Sequence, residues 1–158
     1  MVIAIGSDHA GVELKRELSA FLEKKGVDLV DAGPENQASV DYPDYGQKVS
    51  LMVSSGRADR GILICGTGIG MSIVANKFPG IRAALCGEPL SARLSRQHND
   101  SNILVLGGRL VGTVMALEIL KVWLETPFEG GRHAGRLMKI TTIEEKLSRD
   151  ELGQTKGN

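Results

Sequence analysis

The chain has 158 residues with 19 basic and 19 acidic side chains, 42% apolar residues, 4% aromatics and two cysteines. That length suffices for one α/β domain with a core of its own, and the balanced charge leaves no global field to draw it to nucleic acid or an anionic membrane, so any anion site must be local. The cysteines lack metal-ligand spacing, no apolar run approaches the roughly 18 residues of a membrane span, and so few aromatics speak against base stacking.

Val2–Ile5 reads as the first strand, with neither a basic start nor an apolar leader before it, so the expected setting is the reducing cytoplasm. Gly6-Ser7-Asp8-His9-Ala10-Gly11 ends that strand. Leu14, Leu18, Phe21 and Leu22 then carry helical spacing up to Lys24-Lys25-Gly26. Val27–Asp31 is the second strand. A polar loop from Glu35 to Pro43 carries Asp41-Tyr42-Pro43, and Tyr45, Val49, Met52 and Val53 mark the next helix, ended by Gly56. Gly61–Cys65 is an unbroken apolar run, the pattern of a strand buried on both faces. A short helix, Met71–Lys77, follows it. Ile81–Leu85 is the fourth strand, Glu88-Pro89 opens a helix that ends near Gln97-His98-Asn99-Asp100, and Ile103–Leu106 is the fifth strand. A helix from Gly112 to Glu125 is expected to bury Leu117, Leu120 and Leu124. After the linker Phe128–Gly131, Leu137, Ile140, Ile143 and Leu147 mark a last helix, and Ser148–Asn158 reads as a polar, frayed tail.

Strand and helix alternate five times, which predicts one α/β domain over residues 1–147 with a parallel sheet between two helix layers. Sites in such sheets lie at the carboxyl ends of the strands. The polar clusters are all expected to meet there. The last helix has no strand of its own to cover, so it is expected to pack on a partner subunit.

The chemistry concentrates after the third strand. Cys65 is followed by glycines at alternate positions, Gly66-Thr67-Gly68-Ile69-Gly70. A strand-end cysteine by itself is more often a small buried hydrophobe. Here it stands at the lip of a turn whose N–H groups can converge without a Cβ in the way, and a thiol beside such donors becomes a usable base. The spacing G-x-G-x-G departs from the dinucleotide fingerprint and lacks the lysine of a P-loop, so it reads as an oxyanion cradle. Asp8-His9 and His98-Asn99 each have a structural reading as helix caps and a chemical one as proton carriers near neutral pH. Arg132 and Arg136, four apart, read either as a solvated basic face or, with Arg109 after Gly107-Gly108, as a phosphate clamp. Gly135 between them predicts a loosened helix start. Cys86 lacks a glycine cradle and is taken as structural.

These stretches, together with Ala75-Asn76-Lys77, Gly80-Ile81-Arg82-Ala83 and Glu129-Gly130-Gly131-Arg132-His133, run in one order along the chain. Their sum resembles the type B ribose-5-phosphate isomerases, in the wider family that includes galactose-6-phosphate isomerase. The resemblance implies a Rossmann-like three-layer fold with a five-stranded parallel sheet. It implies a homodimer, which could pair into a tetramer, with the active site at the subunit interface. It also implies interconversion of D-ribose 5-phosphate and D-ribulose 5-phosphate without metal or organic cofactor, within the non-oxidative pentose phosphate pathway. By this resemblance Cys65 moves the proton between C2 and C1, Gly66–Gly70 stabilise the enediolate, and His98 opens the furanose ring. Asp8 and Thr67 serve the sugar oxygens. His9, Arg109, Arg132 and Arg136 hold the phosphate, and Tyr42 and Asn99 line the pocket. Two alternatives stand beside this reading: a six-carbon phosphosugar as substrate (allose or galactose 6-phosphate), or a sugar-phosphate-binding module without turnover.

Overall fold

The computed structural model describes residues 1–149 of the chain. Its strands are β1 (Val2–Ser7), β2 (Asp28–Asp31), β3 (Arg60–Cys65), β4 (Ala83–Leu85) and β5 (Ile103–Gly107). Its helices are α1 (Val12–Lys24), α2 (Tyr42–Ser54), α3 (Ile69–Ala75), α4 (Pro89–Asn99), α5 (Thr113–Glu125) and α6 (Arg132–Ser148), with a 3-10 turn at His9–Gly11 before α1. The strands form one parallel sheet in the order β2-β1-β3-β5-β4.

The apolar runs of β1, β3 and β5 are buried because each face of the sheet is covered. Ile3, Ile5, Ile62, Ile64, Leu104 and Leu106 pack with residues of α1, α4 and α5, and Ala4, Leu63, Cys65, Ile103 and Val105 pack with residues of α2 and α3. This alternation follows from the two-residue period of a strand and yields the expected three layers. No helix among the described residues is long and apolar enough to cross a membrane.

Several boundaries differ from expectation. Tyr42 and Pro43 lie in the first turn of α2 and not in the loop, since proline suits a position whose N–H has no helical partner. β4 pairs only from Ala83, and α3 stops at Ala75. The buried stripe of α5 is Ala116, Ile119, Leu120 and Trp123, while Leu117 and Leu124 are only partly covered. The stripe is turned by Trp123, whose indole N–H donates to Ser101 Oγ at 2.8 Å and whose ring lies under the Arg60 guanidinium. α6 runs unbroken from Arg132 through Gly135, so the glycine does not loosen its start. Of the expected tail, Ser148 closes α6, and residues 150–158 lie outside the described residues.

Each helix after a strand returns antiparallel to it. The helix starts therefore gather at the carboxyl edge of the sheet and the helix ends at the amino edge. The register Gly61↔Ile103 to Cys65↔Gly107 sets these edges apart by the length of β5, about 16 Å.

Candidate active site

The carboxyl edge holds ten of the expected residues. The peptide after Cys65 turns back on itself, and the Gly68 N–H points at the Cys65 sulfur at 3.1 Å. Gly68 has a φ of +79°, and a Cβ there would strike Leu85 and the Leu106 carbonyl carbon at 3.0 Å, so only glycine closes the turn without strain. The neighbouring strand stitches the loop in place: Gly108 N–H donates to the Cys65 carbonyl at 2.8 Å and Arg109 N–H to the Gly66 carbonyl at 3.0 Å. These bonds lay the Arg109 side chain over Gly66, its Cδ 3.5 Å from where a Cβ would be. Thr67 and Ile69 are exposed on the outer rim of the turn, with the Ile69 N–H donating to Thr67 Oγ1 at 3.3 Å. The Tyr42 ring closes the far side against Gly70, 2.6 Å from an added Cβ.

From the other side, Asp8 N–H donates to the Ile64 carbonyl at 3.0 Å, which brings the end of β1 beside the end of β3. Asp8 does cap the turn that follows: its Oδ1 accepts from Ala10 N–H at 2.9 Å and Gly11 N–H at 3.1 Å. His9 Nδ1 is held at 3.3 Å by the backbone of Val40 in the loop before α2. Asp8, His9, Tyr42, Cys65, Gly66, Thr67, Gly68, Ile69, Gly70 and Arg109 thus share one edge.

The remaining four do not join them within one chain. His98 and Asn99 close α4, and Arg132 and Arg136 stand exposed on the first turns of α6. Both helix ends concerned lie at the amino edge, because α4 runs back from β4 and α5 runs back from β5. The expectation that all polar clusters meet at the carboxyl edge is therefore corrected. The sign was in the order of the chain, since His98 directly precedes a strand and must sit at that strand's amino end.

The amino edge is a cluster in its own right. The Gly131 φ of +54° turns the chain sharply from α5 into α6. The Glu129 N–H donates to the Gln97 carbonyl at 3.1 Å, which docks this turn on α4. His133 is then pressed flat against His98, with ring centroids 4.3 Å apart and planes 8° from parallel. Its Nε2 faces Glu129 Oε2 at 3.5 Å and Arg132 Nε at 3.5 Å. Burial holds the His133 imidazole below its ordinary pKa of 6.5, and His98, Arg132 and Arg136 push the same way against Glu129. The ligand atoms of His98, Glu129 and His133 lie within 4.8 Å of one another. A metal ion sits in the plane of each imidazole it binds, and two rings this nearly parallel offer no common in-plane point beside them, so the trio does not form a chelate as it stands. Glu129 and His133 were named in the sequence only as part of a matching stretch; their four-residue spacing across a helix start was the available signal.

The model of the Ribose/Galactose Isomerase family matches residues 3–140. The chain belongs to that family. Among members of the ribose/galactose isomerase family, ribose-5-phosphate isomerase B of Escherichia coli is 52% identical over 144 residues, 91% of this chain and 97% of that protein. The structure of ribose-5-phosphate isomerase B from Clostridium thermocellum superimposes with a TM-score of 0.92 at 57% identity, covering 93% of this chain and 99% of that one. That of a ribose 5-phosphate isomerase from Thermotoga maritima does so with 0.87 at 54% identity, covering 89% and 97%. The family membership and the three-layer fold expected from the motifs are both borne out.

Proposed function

We propose that this ribose/galactose isomerase interconverts D-ribose 5-phosphate and D-ribulose 5-phosphate through a cis-enediolate, as an aldose–ketose isomerase of the cytoplasm and the non-oxidative pentose phosphate pathway. The observation that carries the reading is the Cys65 sulfur at the end of β3, facing the Gly68 N–H of a turn built on Gly66, Gly68 and Gly70. Moving a carbonyl from C1 to C2 needs one base for a weakly acidic C–H and donors for the oxyanion it leaves. The Cys65 sulfur takes the C2 proton of the open-chain aldose. The C–H electron pair becomes the C1–C2 double bond, and the C1 carbonyl oxygen takes the negative charge against the loop N–H groups. One proton passes from O2 to O1, with Asp8 and Thr67 serving these oxygens, and the sulfur returns its proton to C1. The arginines and His9 hold the phosphate, so binding energy far from the reacting carbons positions them.

The ring-opening group His98, its neighbour Asn99, and Arg132 and Arg136 belong to the opposite edge of the sheet. Each site is therefore completed by a second copy of the chain, in a homodimer. The exposed stripe of α6, with Met138 at 68% and Leu147 at 62% of full exposure, supports packing between copies. The test is Cys65→Ala assayed with ribose 5-phosphate. Turnover is expected to fall by about 10²–10⁴-fold while phosphosugar binding, followed by calorimetry, persists. Near-normal turnover removes Cys65 from the role of base. A strong preference of the unaltered enzyme for allose or galactose 6-phosphate overturns the pentose reading.

A further inference from the structure

The flat contact between His98 and His133 has no part in the steps above. His133 is the one side chain of α6 that is buried among the described residues, at 4% exposure, while its helix neighbours Arg132 and Arg136 stand in solvent. A buried imidazole is a costly way to fill space, because its nitrogens need partners. Here Nδ1 has none, and Nε2 meets Arg132 and Glu129 only at 3.5 Å. An apolar residue would fill the volume without that cost. What the imidazole supplies is a plane, and that plane lies 8° from the plane of His98.

The charges around the pair also point one way. His133 is faced by His98 from α4, by Arg132 and Arg136 from α6, and by Glu129 from the segment before α6. Two imidazolium rings 4.3 Å apart repel strongly, whereas one imidazolium over one neutral ring is attracted. The half-buried His98 keeps contact with solvent and the buried His133 does not. We propose that His133 is a positioning residue for His98, its ring holding the His98 imidazole in one plane. The inference rests on the reading of His98 as the ring-opening group. Furanose opening breaks the bond from C1 to the ring oxygen, which keeps that electron pair and takes a proton from the donor, while the O1 hydroxyl gives its proton to solvent and its O–H pair becomes the C1 carbonyl; a donor free to swing out of line loses most of its advantage.

The test compares His133→Phe, which keeps a plane without a titrating nitrogen, with His133→Leu, which keeps volume without a plane. With ribose 5-phosphate, His133→Phe is expected to retain kcat within about threefold, and His133→Leu to lose about tenfold or more in kcat with KM moved less than about twofold. By NMR, the His98 ring resonances in the unaltered protein and in His133→Phe should carry the upfield shift of a stacked ring, absent from His133→Leu. Should the leucine variant fail to fold, His133→Gln is read by the criteria set for leucine. An unchanged kcat in His133→Leu, a loss in His133→Phe equal to that of leucine, or a rise in KM alone would each overturn the proposal. His98→Ala separates the two levels. If it is impaired while His133→Leu is normal, the positioning role alone falls; if it turns over normally, the ring-opening reading falls and takes the proposal with it.

Discussion

Gly68 shows how little room the loop after β3 leaves. Its backbone is left-handed, and the space a methyl group would take belongs to Leu85 and to the backbone of Leu106. Replacing it by alanine adds backbone strain of about 1–3 kcal/mol before any clash is relieved. Gly68→Ala is therefore expected to lower the melting temperature by several degrees, and to lower kcat more than it raises KM, since the displaced N–H is the one aimed at the Cys65 sulfur. A melting scan beside steady-state kinetics checks both, and an alanine variant of unaltered stability and rate would show that the turn has room to spare. The two cysteines make the opposite contrast. Cys86 is also buried, but burial pushes its thiol up and it packs in the core beside α4, so its chemistry is that of a small apolar side chain.

At the scale of the element, the end of α4 is held by charge and not by apolar packing. Arg96 Nη1 donates to Asp100 Oδ1 at 2.8 Å and to the Ser101 carbonyl at 2.6 Å, while Arg82 Nη2 donates to Asp100 Oδ2 at 2.9 Å. Asp100 itself caps the helix with a φ of +44°. Arg96→Met keeps the stem and removes these bonds, which should cost roughly 2 kcal/mol because Asp100 retains Arg82 and partial hydration. Urea unfolding measures that loss, and a several-fold fall in kcat should accompany it, since His98 and Asn99 lie on the same turn; a stability change within about 0.5 kcal/mol would place the anchor elsewhere. This anchor was not legible in the sequence. Leu14, Leu18 and Leu22 announced the buried face of α1 because helical spacing is a local signal. Buried Arg96, Lys15 and Trp123 depend on partners from other elements: Ser101 and Thr126 for Arg96, Asp31 for Lys15, Ser101 and Arg60 for Trp123. The glycine turn and Cys65 could be read because their geometry is written within six residues. The partnership of His98 with His133 could not, because it is made by α6 folding back on α4.

Over the whole molecule, the two clusters occupy opposite ends of the strands, and complementation tests whether two copies share each site. Cys65→Ala spoils the carboxyl edge alone and Arg132→Ala the amino edge alone. If the edges of different copies meet, chains carrying the two changes, co-expressed and paired at random, should recover about a quarter of full activity, because half the dimers are mixed and each mixed dimer keeps one intact site of its two. Activity no higher than the sum of the separate variants would mean that each chain works alone.

The distance between the edges also sets a condition on the rate. An enzyme whose reacting groups sit on one chain loses nothing per molecule when it is diluted. On the proposed reading, a lone chain carries a base without its ring-opening partner at one edge and the partner without the base at the other. Specific activity should then decline as the solution is thinned below the dissociation constant of the pair, and a ligand that bridges both edges should hold the pair together by mass action. Substrate would in this way protect the assembly that consumes it.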